Sequence, residues 1–431
     1  MFETFRNAWK TEDLRKRLLY TLLILILFRL GCAIPVPYIT SSALESMFTT
    51  GSMLTYLNMM SGGAMSRCTI FALGVQPYIN ATIIIQLLCV AIPYLENLSK
   101  EGEEGRQKLT KISNYTGAAI ALLLSIAYYF IIRRMGALKY TDGFAGIFSG
   151  IVIVACFTAG AQFVTWMGNQ IDAKGIGNGL SLMIFAGIVA DWSRVGSSFQ
   201  DMLTRAQAGA SGYYIMIPAM VILALVAVIF VVILTNAERR IPVQYAKRVV
   251  GRKMYGGQNT YIPIKVNMSG VMPIILASSI VSLPSIIMSF TGTPTKGFWA
   301  WVANVSKQSS PVYLVLLFLL IIGFAFFYVT IQYDPLEMAN NLRKNSGAIP
   351  GYRPGKATVD YIKRVLSKVT FIGSLFLGVI AVFPGVFGAI SGIYGLTLGG
   401  TSLMIVVGVA LETTQQIESQ MMMRHYKGFL E

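Results

Sequence analysis

Long apolar stretches recur along the whole chain, and they constrain its fold more than any other feature of the sequence. A hydrocarbon core about 30 Å thick is crossed by a helix of about 20 predominantly apolar residues. Hydrophobic residues make up 55% of the 431 residues and charged residues only 13%, which is more apolar surface than a soluble domain can bury. The sequence therefore predicts an all-α polytopic membrane protein.

Ten spans are predicted from these stretches. They lie near residues 18–34, 70–92, 114–132, 147–167, 178–192, 213–235, 270–290, 311–331, 368–384 and 398–417. With this assignment, 26 Lys and Arg residues fall on one side of the membrane, counting Lys368 at the edge of the ninth span, and 8 fall on the other, while Arg29 lies inside the first span. Because cytoplasmic loops carry the excess of basic residues, both termini are predicted to be cytoplasmic.

Two structural halves follow from the number of spans. Five spans lie in residues 1–190 and five in residues 213–431, separated by an external connecting segment at 191–212. An odd number per half makes equivalent helices run in opposite directions, as in an inverted repeat. Residues 52–67 are too short to cross the membrane, and we expect them to re-enter it from the outside.

The spans contain little that is capable of catalysis or ion coupling. None has an Asp or Glu in its apolar core, His425 is the only histidine, and the four cysteines are far apart in the sequence. A proton- or sodium-coupled transporter usually needs an intramembrane carboxylate. The chain also lacks the GxxxxGK[ST] nucleotide-binding motif. We therefore predict no enzyme activity and no cofactor, with a secondary transporter and a membrane-embedded enzyme as the alternatives.

Arg29 is the one basic residue well inside an apolar stretch. Placing it at the centre of a membrane would cost about 2.5 to 3.5 kcal/mol on insertion scales. Its side chain is therefore expected either to reach the outer interface or to bond to backbone near a pore, and the sequence leaves both open.

Two cytoplasmic loops, 236–267 and 332–367, are long and basic. The first alternates β-branched and basic residues around Gly256 and Gly257, which is typical of a hairpin. The second presents Arg353 between two Pro-Gly pairs. Topology alone needs only a few charges near the helix ends, so we favour docking surfaces. The net charge of +16 indicates an anionic partner, either lipid or RNA.

Eight stretches of the chain resemble the SecY/Sec61-alpha family of protein-conducting channel subunits, in the family's order. They are SGGAMSR (61–67), FALGVQPYINATIIIQLL (71–88), KEGEEGRQK (100–108), GIGNGLSLMIFAGI (175–188), ERRIPVQYAKRVVGRKMYGGQ (238–258), KVNMSGVMPIILASSI (265–280), PGYRPGKAT (350–358) and GGTSLMIVVGV (399–409).

The resemblance implies an hourglass pore between two five-helix halves, closed by a ring of apolar side chains. The matching positions are Val75, Ile79, Ile184, Ile275 and Ile405. A plug beside this ring would include Met53, Leu54, Leu57, Met60, Gly62, Gly63 and Arg67. Spans 2 and 7 would form a lateral gate for signal sequences and membrane helices, with a polar lining from Asn80, Gln86, Asn178, Ser278 and Ser282.

The resemblance also implies partners and a location. Arg240, Arg252, Lys253 and Arg353 match the positions that dock the SecA motor ATPase or the ribosome, including its RNA. The channel would be passive, would work with the small membrane subunits SecE and SecG, and would lie in the bacterial cytoplasmic membrane. Its substrates would be unfolded secretory preproteins.

Overall fold

The computed structural model describes residues 9–40, 58, 61–190, 200, 203–204, 206–207, 212–245, 248–250, 253–255, 259–291, 297–305, 310–391 and 400–427. Helices dominate these residues. Those before residue 191 are α1 (Glu12–Gly31), α2 (Gln76–Ala91), α3 (Pro93–Lys100), α4 (Glu103–Arg134), α5 (Gly143–Lys174) and α6 (Gly179–Ala190). Those after residue 211 are α7 (Gly212–Asn236), α8 (Met272–Thr291), α9 (Phe298–Val305), α10 (Pro311–Gln332), α11 (Pro335–Lys344), α12 (Lys356–Ser391) and α13 (Gly400–Lys427).

Helices cover most of each apolar stretch singled out in the sequence. By length and composition, five helical segments in the described part of the chain are suited to crossing a membrane, and they include α4, α5, α7, α10 and α12. A sixth span results if α2 and α3, which meet at a bend of 107°, are taken together. The helical class of the fold is confirmed, whereas ten membrane-spanning helices in two inverted halves remain a prediction.

The second predicted span, placed at 70–92, is helical only from Gln76 onward. Residues 61–75 instead form successive turns, closed by bonds such as Thr69 N to Ala64 O at 3.0 Å and Gly74 N to Phe71 O at 2.9 Å. Pro77 lies in the first turn of α2, where a missing backbone N–H costs no helical hydrogen bond. Val75 is consequently the N-cap of α2 rather than a residue inside it.

Five short strands form the non-helical part of the described structure. They are β1 (Glu238–Tyr245), β2 (Arg248–Val250), β3 (Lys253–Tyr255), β4 (Asn259–Lys265) and β5 (Gly347–Ala348). β1 lies between β4 and β5 in one antiparallel sheet, and β2 pairs with β3 in another.

The predicted hairpin in loop 236–267 is confirmed as antiparallel strands, but the predicted position of its turn is wrong. Val250 pairs with Lys253, so β2 and β3 form a hairpin that closes before Gly256 and Gly257. Gly256 and Gly257 fall between β3 and β4, outside the described residues. The outer pair, β1 with β4, extends from Glu238 opposite Lys265 to Gln244 opposite Asn259.

Buried apolar side chains form several clusters that connect these elements. One joins α1, α5 and α6 to α8 and α13, and so includes residues from both sides of segment 191–212. A second packs α4 and α5 against residues 65–73. A third joins α7, α8, α10, α12 and α13, and a fourth lies between β1, β4, α11 and α12. The first cluster contains the residues of greatest functional interest.

Candidate functional site

The five residues expected in the apolar ring meet in the first cluster. Val75, Ile184, Ile275 and Ile405 are exposed by only 5%, 4%, 7% and 1%, and Ile79 packs against them as a half-buried neighbour. They come from the start of α2 and from α6, α8 and α13, four helices distant in the sequence. Their convergence produces an apolar, closely packed centre.

The backbone before α2 fixes the position of Val75. Phe71 stacks on Phe28 of α1 with the ring centroids 6.0 Å apart, and on Phe163 of α5 at the same separation. Gly74 then turns the chain through a positive φ of 53°. This anchoring holds Val75 and Ile79 in the same apolar cluster as the buried residues of α6.

The segment 61–67, expected to be part of a plug, contacts this centre directly. Ala64 is fully buried and belongs to the same cluster as the ring residues. Asn58 holds residues 63–66 in place with two hydrogen bonds. Its side-chain oxygen accepts one from Ser66 N at 2.8 Å, and its backbone carbonyl accepts one from Gly63 N at 2.8 Å. Of the expected plug residues, Gly62 and Gly63 adopt positive φ and Arg67 is exposed. Met53, Leu54, Leu57 and Met60 lie outside the described residues.

Two further contacts hold this segment, and the sequence pattern gave no indication of the first. The fully buried Tyr128 of α4 donates from its hydroxyl to Met65 O at 2.6 Å. Arg29 of α1 donates from Nη1 to Gly62 O at 3.2 Å. Arg29 therefore bonds to backbone, the second of the two possibilities that the sequence left open.

The expected gate residues are satisfied locally where the structure describes their contacts. Asn178 Oδ1 accepts from Ser181 N at 3.1 Å at the start of α6, and Ser278 Oγ donates to Ile275 O at 3.0 Å within α8. Asn80 and Gln86 are half-buried on α2, and the Ser282 side chain lies outside the description. These two described hydrogen bonds are each local to one helix and do not link Asn178 to Ser278.

Thr82 Oγ1 on α2 and Asn114 Oδ1 on α4 are buried without a hydrogen-bond partner in the described structure. Thr82 lies between the expected gate residues Asn80 and Gln86, whereas Asn114 lies at the very start of an apolar stretch, where nothing in the sequence marks it.

The two basic loops are joined by the sheet. Gln244 of β1 pairs with Ala348 of β5, so loops 236–267 and 332–367 share one surface. Buried apolar residues support this surface from below: Ile241, Val243, Ile264, Ala339, Leu342, Ile349, Ile362 and Leu366.

Among the four expected docking residues, Arg240 is exposed on β1 and donates from Nε to Glu238 Oε1 at 2.6 Å. Its guanidinium carbon lies 4.7 Å from the centroid of the Tyr261 ring on β4. The bond to Glu238 raises the pKa of Arg240 further above its ordinary value, so it is charged at any physiological pH. Arg353 is exposed before α12, Lys253 begins β3, and Arg252 lies outside the described residues.

The described fold and site define a class of protein: a helical multi-pass membrane protein with a closed apolar centre. Solved structures of protein-conducting channels share this fold. One described as a protein conducting channel superposes with a TM-score of 0.62 at 19% identity, covering 94% of this chain and 92% of that chain. The canine Sec61 in a ribosome–channel complex gives 0.58 at 18% identity, with coverage of 94% and 92%.

Sequence comparison defines the family. The SecY family model matches residues 69–414. The protein translocase subunit SecY of Streptomyces scabiei is 42% identical over 443 residues, and that of Mycobacterium tuberculosis H37Rv is 42% identical over 450, each covering 100% of both chains. The chain therefore belongs to the SecY family, and its members are translocase subunits rather than enzymes.

Proposed function

We propose that this chain is a protein-conducting channel that moves unfolded preproteins across a membrane and releases apolar segments into it. The observation that carries the proposal is the convergence of Val75, Ile79, Ile184, Ile275 and Ile405 in one apolar cluster. A narrow apolar constriction excludes water and therefore ions when it is closed. It also offers a passing polypeptide no polar group to bind.

Lateral release follows from the same physical chemistry. An apolar segment gains free energy in lipid, whereas a polar chain with unsatisfied amides does not. In this proposal α2 and α8 separate to form the gate, between two inverted five-helix halves. The polar side chains of Asn80, Gln86, Asn178, Ser278 and Ser282 would line it when it opens. The local hydrogen bonds of Asn178 and Ser278 would then belong to the closed state.

The energy for transport would come from a partner that binds the shared surface of the two basic loops. Arg240 and Arg353 are exposed on it, and Arg252 and Lys253 lie in the same loop as Arg240. Arginine forks suit both RNA phosphates and the carboxylates of a motor protein. The ribosome and SecA are the partners that fit this chemistry, and similar channels have been solved as ribosome complexes from canine endoplasmic reticulum and from yeast.

We place the channel in the bacterial cytoplasmic membrane with both termini in the cytoplasm, where the basic loops would face these partners. The excess of Lys and Arg on that side supports this orientation and contact with anionic lipids. Small membrane subunits resembling SecE and SecG would complete the assembly, and signal sequences would be the segments recognised at the gate.

The test is translocation of a preprotein into vesicles that contain this chain with SecE and SecG, in the presence or absence of SecA and ATP. Wild type is compared with the double variant Ile79→Gly and Ile275→Gly. The matched control is Ile151→Gly with Ile229→Gly, two exposed isoleucines on α5 and α7.

We expect protease-protected substrate that requires SecA and ATP, and an ion leak in the ring variant but not in the control. If no substrate crosses with any partner, the channel assignment is wrong, and flux of a small molecule would favour a transporter. An equal leak in the control variant would refute the ring.

A further inference from the structure

Arg29 and Cys32 lie at the end of α1 and contact two successive carbonyl groups of segment 61–67. Arg29 Nη1 lies 3.2 Å from Gly62 O, and Cys32 Sγ lies 3.7 Å from Ser61 O. Arg29 is half-buried, and no carboxylate in the described part of the chain forms an ion pair with it. The backbone carbonyl of Gly62 is therefore the described acceptor for this guanidinium.

Gly62 is enclosed on both sides. Its φ of +66° is a left-handed conformation that favours glycine. A Cβ atom at this position would overlap Arg29 Nη1 and would lie 3.0 Å from the Cα of Gly187 in α6. Gly187 is one turn from the ring residue Ile184. The Arg29 guanidinium and the α6 backbone thus hold Gly62 between them, next to the apolar ring.

We propose that Arg29 is a positioning residue that holds segment 61–67 in the closed state through its hydrogen bond to Gly62 O. This inference rests on the proposed channel function, because it concerns how the same pore is kept shut. A hydrogen bond from a charged donor is about twice as strong as one between neutral groups. When the segment moves aside, the guanidinium loses this acceptor while its neighbours on α1, Phe28 and Leu30, offer none. Opening therefore carries a penalty set by one side chain.

Arg29 also has two general properties that do not depend on segment 61–67. It lies in the last turn of α1, where a cation interacts favourably with the helix dipole, and its long side chain can extend to the membrane interface. Arg133 occupies the last turn of α4 and is exposed. It shares both general properties without the contact to segment 61–67 and is therefore the matched control.

The experiment measures substrate-free ion conductance of the full channel, reconstituted with its small subunits in planar bilayers. The variants are Arg29→Met, Arg29→Lys, Gly62→Ala, the double variant Arg29→Met with Gly62→Ala, and Arg133→Met. We expect Arg29→Met to raise the closed-state leak by roughly tenfold or more. Arg29→Lys, which keeps one charged donor, should restore part of the closure. Gly62→Ala should leak as well, and the double variant should leak no more than the worse single variant.

SecA-dependent translocation is measured on the same preparations, which separates this inference from the channel proposal. The role of Arg29 is overturned, and the channel proposal kept, by one combined result. In that result wild type translocates preprotein, while Arg29→Met and Arg133→Met leak equally or not at all. Additive leaks of Arg29→Met and Gly62→Ala would also overturn it. If Arg29→Met does not accumulate in membranes, Arg29→Lys and Gly62→Ala decide. A leak from both variants supports the contact, and the contact is refuted when either variant is as tight as wild type.

Discussion

Gly160→Ala should destabilise the protein because α5 approaches the chain at Ile70 more closely than a methyl group allows. A Cβ on Gly160 would overlap the carbonyl oxygen of Ile70 and lie 2.8 Å from its carbonyl carbon. Carbon atoms pack favourably at about 3.5 to 4.0 Å, so helix and chain must separate by roughly 0.7 Å or more. Ile70 N donates to Ile34 O at 3.1 Å, which resists that movement from the other side.

The magnitude follows from two opposing terms. Overpacking a tight contact costs about 1 to 3 kcal/mol, and the upper end applies because the obstacle is backbone. Replacing glycine by alanine inside a helix stabilises that helix by about 1 kcal/mol, because alanine has the higher helix propensity. The net effect is therefore a destabilisation of about 2 kcal/mol. Gly323→Ala on α10 is the matched control, since no atom lies within 4 Å of its new Cβ, and it should stabilise by about 1 kcal/mol.

The assay is thermal unfolding of the detergent-solubilised channel with its small subunits. An unfolding entropy of about 2.1 cal/mol/K per residue gives roughly 0.9 kcal/mol/K for the 431-residue chain. The midpoint should fall by about 2 °C for Gly160→Ala and rise by about 1 °C for Gly323→Ala. Equal or higher stability of Gly160→Ala would refute the close approach of α5 and Ile70.

Two further predictions concern the docking surface and the end of segment 61–67. Arg353→Glu should abolish SecA-driven export without changing the unfolding midpoint, because Arg353 is exposed, while Arg133→Glu should export normally. Normal export by Arg353→Glu would contradict the docking assignment. Tyr128→Phe removes the 2.6 Å donor to Met65 O, which keeps its bond from Cys68 N at 3.1 Å, and should cost about 0.5 to 1.5 kcal/mol, lowering the midpoint by about 1 to 2 °C. Tyr129→Phe, at a half-buried position, serves as its control, and equal midpoints would refute the role of the Tyr128 bond.

Local sequence patterns account for most of the helices but not for where each begins. Apolar stretches predicted helices at the observed positions because burial in lipid is a property of about twenty consecutive residues. The start of α2 was misplaced by six residues, since Ile70 to Val75 are as apolar as the helix that follows them. The turns at 61–75 depend on hydrogen bonds to Asn58 and on ring contacts with α1 and α5, which no local pattern encodes.

At the candidate site, too, the local sequence identifies individual residues but not the tertiary contacts that bring them together. The ring residues are ordinary apolar residues of their helices, and only the family resemblance selected them from the sequence. β5 has two residues and pairs with a strand about a hundred positions earlier, so its periodicity carries no signal. Arg29 was identified by its charge in an apolar stretch, but its partner is a backbone carbonyl, and any residue supplies one.

Contacts of two kinds surround the proposed ring: apolar contacts within it, and close packing or hydrogen bonds around it. The contrast between them bears on how the proposed channel would open. Without a hydrophobic driving force in lipid, helices associate through close packing of small residues and through hydrogen bonds. Gly160 packs closely against Ile70, just after segment 61–67, and Tyr128 donates a directional hydrogen bond to Met65 O within the segment. These two contacts attach α5 and α4 to this part of the chain. The ring itself is held by apolar contacts alone, which are non-directional and can part and re-form without leaving a polar group unsatisfied. In the proposed channel, parting the ring should therefore cost less than separating α5 from Ile70, apart from the loss of the Arg29 bond to Gly62 O, so the proposed pore would widen while the surrounding helices remain folded.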